Sequence, residues 1–123
     1  MAAAARGARQ GGGVTVGLLP GLERSAGNGH LTVALPTGLG ELRNGLLVRA
    51  SDVLVAVGGS WGTLAEVAFA LRTGRSVVGL RSWLVTDDGG DPVPPGPTGA
   101  RLVRVADREA VLPVLRALLR RSV

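Results

Sequence analysis

Six consecutive residues, Gly58-Gly59-Ser60-Trp61-Gly62-Thr63, combine glycines with hydroxyl side chains. That combination suits the holding of a phosphate. Glycines adopt positive φ and let a ligand approach the backbone amides. The loop leads into Leu64 to Thr73, an Ala- and Leu-rich run of good helix formers. The first N–H groups of a helix have no intrahelical partner and lie at the positive end of its dipole, which makes them a seat for phosphate. Thr63 is placed to cap this helix or to donate to an anion. A tight strand-to-helix connection that binds nothing is the plainer alternative. It does not by itself call for three glycines, a Ser and a Thr in six residues.

Two further groups have chemistry within reach. Glu66 follows Thr63 by three positions on an otherwise apolar helix. In the first turn it would support capping and suit the dipole. Beside a bound phosphate it would instead serve a sugar, binding hydroxyls or stabilising positive charge at an anomeric carbon. Arg43 and Asn44 come just after another glycine turn, Pro36-Thr37-Gly38-Leu39-Gly40, and Glu41. Arg43 is placed either to reach over the same ligand or to form a surface salt bridge with Glu41 or Asp52.

The elements that must position these groups are legible as punctuation. Val53 to Val57 is an apolar run without polar alternation, as expected of a parallel strand buried on both faces. Gly74 sits where a left-handed cap ends the helix, and Val77 to Leu80 is a second strand, completing one βαβ unit. Upstream, Met1 to Gln10 reads as a helix stopped by Gly11-Gly12-Gly13, then Val14 to Leu19 and Leu31 to Leu35 as strands, then Glu41 to Ser51 as a helix. Downstream, Arg81 to Gly99 is an irregular loop rich in Pro, Gly and Asp, and Leu102 to Val105 is the last strand. Asp107 caps a terminal helix running to Arg121, with Val111, Leu115 and Leu118 on one face. Pro113 must kink that helix or shift its start. Alternating strands and helices predict a single α/β domain over residues 1–123 with a Rossmann-like, doubly wound, mainly parallel sheet. The helix after Thr63 is apolar all round, which points to cover on every side, by another helix or by a second subunit of a homodimer. Alanine as a tolerated surface helix former is the alternative.

Composition narrows the function classes. All 14 basic residues are Arg, so a Schiff-base lysine is excluded. With no Cys there is no disulfide, thiolate nucleophile or cysteine metal site, and the single His30, in a glycine-rich turn, cannot build a multi-histidine site. It is expected to be a solvated loop residue. No metal site is expected. The net charge of +5 is spread over scattered arginines without an aromatic platform, which disfavours nucleic acid. No apolar run is long enough for a membrane span, and no signal peptide is visible, so a cytoplasmic location is expected.

The run Gly58-Gly59-Ser60-Trp61-Gly62-Thr63-Leu64-Ala65-Glu66 resembles the Pro-Gly-Gly-x-Gly-Thr-x-x-Glu signature of the LOG (lysine-decarboxylase-like) Rossmann proteins, with Gly58 where they have Pro. Arg43 falls where that family's second motif has its arginine, with Asn44 in place of Lys. The resemblance implies a nucleoside 5′-monophosphate phosphoribohydrolase of the cytokinin-activating type, with Arg43 and Glu66 acting at the N-glycosidic bond. A sister group, the molybdenum-cofactor-carrier-like and DprA-related proteins, is more similar still. It shows a comparable Pro-Thr-Gly-Leu-Gly-Glu-x-Arg-Asn segment, here Pro36 to Asn44, before a Gly-Gly-x-x-Gly-Thr loop. That likeness implies a carrier binding a nucleotide such as AMP, or a molybdopterin-type cofactor, through Gly58, Gly59, Ser60, Trp61, Gly62 and Thr63 together with Thr37, Gly38 and Asn44. Relatives of this kind begin with further strands and a helix. Met1 to Ala8 resembles the start of a later helix in them, so the sheet is expected to be incomplete at its N-terminus.

Overall fold

The computed structural model describes residues 1–121. The chain divides into two compact units, Met1–Leu46 and Leu47–Val123.

In the first unit, helix α1 (Ala2–Gln10) is followed by the parallel pair β1 (Val16–Leu19) and β2 (Val33–Pro36). Register runs from Val16 opposite Val33 to Leu19 opposite Pro36. Both strands start two residues later than the apolar pattern suggests, because Thr15 and Thr32 clasp each other at their foot. Thr15 is buried. Its amide donates to Thr32 Oγ1 (3.0 Å), the Thr32 amide donates to Thr15 Oγ1 (2.8 Å), and the Thr15 hydroxyl donates to the His30 carbonyl (2.7 Å). These bonds satisfy polar groups that a buried strand end would otherwise leave unpaired. His30 is half-buried in this turn rather than fully solvated. A 3₁₀ turn (Gly40–Leu42) then opens helix α2 (Arg43–Ala50).

The second unit holds three parallel strands in the order β3 (Val53–Val57), β4 (Ser76–Leu80), β5 (Leu102–Val105). Helix α3 (Trp61–Arg72) joins β3 to β4, and α4 (Val111–Arg121) follows β5. Both helices pack on β3 and β4. Val48, Leu54, Ala56, Val67, Ala70 and Val77 form the core, with Phe69, Leu71 and Leu102 against it. Val77 and Val78 are both 0% exposed, although neighbouring strand residues point to opposite faces. With Val77 in the α3 cluster, the Val78 face is left to α4, so this sheet is wound on both sides.

One expectation needs correcting. β3 is not buried on both faces: Leu54 and Ala56 point into the core, while Val55 and Val57 are 42% and 66% exposed. An apolar run shows that both faces tolerate burial, not that both receive it. Helix α3 is not enclosed within the chain, so cover on every side would fall to a second subunit. Val67 and Ala70 are buried, Phe69 lies under the Arg49 guanidinium (5.8 Å to the ring centroid), but Ala65 and Ala68 are exposed.

Helix ends follow local chemistry closely. Gly74 has φ +82° after the last turn of α3, as a left-handed terminus requires. Asp107 accepts the Ala110 amide at 3.0 Å, and the helix opens through a 3₁₀ turn before α4 begins at Val111. Pro113 thereby falls in the first α-turn, where its missing N–H costs no intrahelical bond. Arg75 donates to the Ser51 and Thr73 carbonyls (2.8 and 3.1 Å), tying the carboxyl ends of α2 and α3 to the foot of the sheet.

Gly74→Ala should destabilise the protein by about 1 kcal/mol or more, since a Cβ at positive φ is strained and would lie 2.9 Å from Thr98 Oγ1. Thermal unfolding should show a melting temperature lower by several degrees; an unchanged value would mean this cap is not needed.

Candidate functional site

In the first unit the candidate residues gather at the carboxyl end of β1. The Thr37 amide and hydroxyl both donate to the Leu19 carbonyl (3.0 and 2.7 Å), and Thr37 Oγ1 accepts the Leu39 amide at 3.3 Å. Gly38 and Gly40 donate to the Gly21 and Pro20 carbonyls, each at 2.9 Å. Gly38 has φ +65°, the conformation that favours glycine, while the Leu22 methyl 2.8 Å from its Cβ position belongs to an exposed side chain free to move. Arg43, the first residue of α2, is half-buried and donates from Nη1 to the Leu18 carbonyl at 2.8 Å. That bond holds the guanidinium at the strand end, with the rest of its five-donor fork not used by this contact. Asn44 follows it on α2 and is half-buried.

In the second unit Gly58 to Thr63 leave the carboxyl end of β3. Gly58 has φ +81°, nothing lies within 4 Å of its Cβ position, and its amide donates to the Leu80 carbonyl at 3.2 Å. The helix begins at Trp61, earlier than the sequence suggests, and its cap is Ser60 rather than Thr63. Ser60 Oγ accepts the Thr63 amide at 3.1 Å and pairs with Thr63 Oγ1 at 2.9 Å. Either residue type can cap, but Ser60 has the extended backbone (φ −76°, ψ 161°) that the position demands. Gly62 therefore lies within the first helical turn. The amides of Trp61 and Gly62 have no intrahelical acceptor and sit at the positive helix end.

The earlier start of α3 changes the meaning of Glu66. It falls in the second turn, half-buried, and the first turn holds no acid. Dipole and capping effects fade within one turn, so they do not account for this carboxylate.

Two residues at this edge were not apparent from the sequence. Trp83 Nε1 donates to the Ser60 carbonyl at 2.9 Å, and its ring lies 5.2 Å from that of Trp61, tilted by 36°. Nothing local in the sequence announces this contact. Arg81, the first residue after β4, has φ +49°, a strained conformation for a non-glycine residue. It lines a cavity of about 410 Å³ with Val57, Leu80, Asp107, Arg108 and Glu109. Arg108 donates to Glu109 at 2.8 Å and holds its carboxyl below the usual range. Arg81 was discoverable from the rule that ligands of open α/β sheets lie at the carboxyl ends of strands.

A larger cavity, about 640 Å³, lies at the opposite edge, lined by Asp52, Arg75, Ser76 and Arg101 among others. It faces the carboxyl ends of helices, where arginines complement the negative dipole. Arg75 there is engaged by helix-end carbonyls, and the carboxyl edge, which carries the Gly58–Thr63 turn and the amino end of α3, is the better candidate. Among the described residues no group of His, Cys, Asp or Glu is arranged to hold a metal, and no helix is long and apolar enough to cross a membrane.

Solved structures with a similar fold include two whose function is stated. The molybdenum cofactor binding protein of the phototrophic bacterium Rippkaea orientalis is 27% identical, with a TM-score of 0.77 over 97% of this chain and 71% of that one. The molybdenum cofactor carrier protein of Chlamydomonas reinhardtii is 31% identical, with a TM-score of 0.74 over 95% of this chain and 69% of that one. These likenesses establish a Rossmann-like fold of the LOG kind. An uncharacterized protein of Archaeoglobus fulgidus is 37% identical over 87 residues, which cover 71% of this chain. The chain spans 57% of the length of that relative. A model of the SLOG cluster4 family matches residues 1–93, which include both glycine turns, Arg43 and Glu66. The chain belongs to the SLOG cluster4 family.

Proposed function

We propose that the chain binds a phosphorylated small molecule, a nucleotide or a molybdopterin-type cofactor, on the Gly58–Thr63 loop and holds it as a carrier. The observation that carries this reading is the amino end of α3, where Ser60 and Thr63 present paired hydroxyls next to open glycine backbone. Phosphate there gains hydrogen bonds from the first-turn amides and the favourable end of the dipole. Arg81, at the same strand edge, adds a positive charge. The similar proteins of Rippkaea and Chlamydomonas, described as binding or carrying molybdenum cofactor, support a phosphorylated pterin as one ligand class. The roles given to Thr37, Gly38, Arg43 and Asn44 rest on the motif in the sequence.

AMP at millimolar concentration should raise the melting temperature, because a ligand of the native state alone adds about 2.7 kcal/mol when present at 100 times its Kd. Ser60→Ala combined with Thr63→Val lowers the starting stability by about 1 kcal/mol through loss of the cap, so the quantity to compare is the ligand-induced shift. The shift should vanish in the double variant. A shift that survives places the phosphate elsewhere.

One observation favours a second reading, a nucleoside 5′-monophosphate phosphoribohydrolase: Glu66 is half-buried on α3 one turn beyond the Gly58–Thr63 loop. Breaking an N-glycosidic bond builds positive charge at the anomeric carbon, and a fixed carboxylate stabilises it preferentially in the transition state. An enzyme should liberate adenine from AMP and lose about 10²-fold or more in rate on Glu66→Gln, the order seen when one electrostatic stabiliser is removed, while still binding AMP. A carrier should release no adenine in either form. Chromatography of the reaction mixture decides between them.

A further inference from the structure

The chain has three aromatic side chains, and the fold brings two of them, both tryptophans, to the glycine loop. Trp83 comes from the segment after β4, and its indole N–H is fixed to the Ser60 carbonyl at 2.9 Å. That carbonyl also accepts the Leu64 amide at 3.1 Å, so it bonds both the helix and the second tryptophan. Trp61 leans on Trp83 with ring centroids 5.2 Å apart, yet remains 78% exposed. A large apolar ring left in water beside a fixed neighbour offers a flat, anchored surface. The glycines next to it leave the backbone side open: Gly58 has nothing within 4 Å of its Cβ position, and at Gly59 the nearest atom is Trp83 Nε1 at 4.0 Å.

We propose that Trp61, held by Trp83, is a stacking wall for the planar heterocycle of the ligand whose phosphate the Gly58–Thr63 loop binds. The inference rests on the phosphate reading of that loop and adds the side chain that would select the planar heterocycle over a bare sugar phosphate. Indole suits this role because stacking tolerates different rings, each having a π face. It also explains why the exposed ring is Trp61 while the indole N–H bonded to the backbone is that of Trp83. The first supplies the face, and the second fixes its angle.

The test compares probes that share a phosphate and differ in the ring. Inorganic phosphate, ribose 5-phosphate, AMP and a pterin monophosphate are titrated against the full chain, with binding read by calorimetry and by tryptophan fluorescence. At least one ring-bearing probe should bind about tenfold or more tighter than ribose 5-phosphate, the scale of one base–aromatic stack, and should quench the fluorescence. Trp61→Leu should erase that advantage, bringing the ring-bearing probes down to the affinity of ribose 5-phosphate for the same variant. Trp61→Phe should restore part of it. Trp61 is exposed, so neither change should alter the melting temperature by more than a degree or two, which confirms that the variants are folded. Equal affinity for ribose 5-phosphate and both ring-bearing probes overturns the stacking wall and leaves the phosphate loop standing. A ring advantage that survives Trp61→Leu also overturns it. Binding of none of the four probes overturns the phosphate loop itself and the stacking wall with it.

Discussion

Val77 and Val78 are neighbours in the chain, face opposite sides of the sheet, and are both sealed from water. Burying a valine side chain fully is worth about 1.5–3 kcal/mol, and the two together require a layer on each face of β4. Helix α3 supplies one through Val67 and Ala70, and α4 supplies the other. Parallel strands joined by crossover helices then leave no freedom in direction. Every helix after a strand starts at the carboxyl edge of the sheet and ends at the amino edge. The placement of the Gly58–Thr63 loop follows from this burial requirement.

The two edges of the second unit are electrically different for the same reason. At the amino edge helices end, their last carbonyls are negative, and Arg75 donates to the Ser51 and Thr73 carbonyls. At the carboxyl edge helices begin. There Ser60 and Asp107 cap, acting on the amides of Thr63 and Ala110. The cavity with the greater volume is at the first edge, where the Arg75 guanidinium is taken up by the helix-end carbonyls. At the second edge, Arg81 and the first-turn amides of α3 lie together at the positive end of that helix.

Features set by neighbours in the chain were legible, and features set by distant contacts were not. Gly74 and Asp107 are read correctly because a left-handed terminus and a cap each depend on a few adjacent residues. The choice between Ser60 and Thr63 as cap was not decidable this way, since both can accept an amide and only the backbone angles separate them. That three-residue difference moved Glu66 from the first turn to the second and removed its plainest explanation. Trp83 is 23 residues from Ser60, and its bond to that carbonyl exists only once β4 lies beside β3. Val55 and Val57 show the complementary limit. Their types are those of a fully buried strand, yet their exposure depends on what the layer above reaches. The candidate site was thus visible as a loop and a helix end, Arg81 only through the rule for strand ends, and the Trp61–Trp83 contact only in the fold.

Carrying a ligand and cleaving it place different demands on the same loop. A phosphate held by Ser60, Thr63 and the first-turn amides is held equally in the ground state and in the transition state of a reaction elsewhere in the molecule. Uniform binding of this kind gives affinity and no acceleration. Acceleration needs a group that meets charge appearing only during reaction, and on this helix Glu66 is the residue of that type, one turn beyond the loop. The two functions therefore draw on separable residues of one scaffold. A chain can keep the loop and lose the chemistry through changes around a single carboxylate, which is how one fold holds both binders and enzymes. The departures at Gly58 and Asn44 leave the loop's glycines, hydroxyls and helix end in place. As departures from the enzymes' motif, Gly58 for Pro and Asn44 for Lys weigh toward the proposed carrier role.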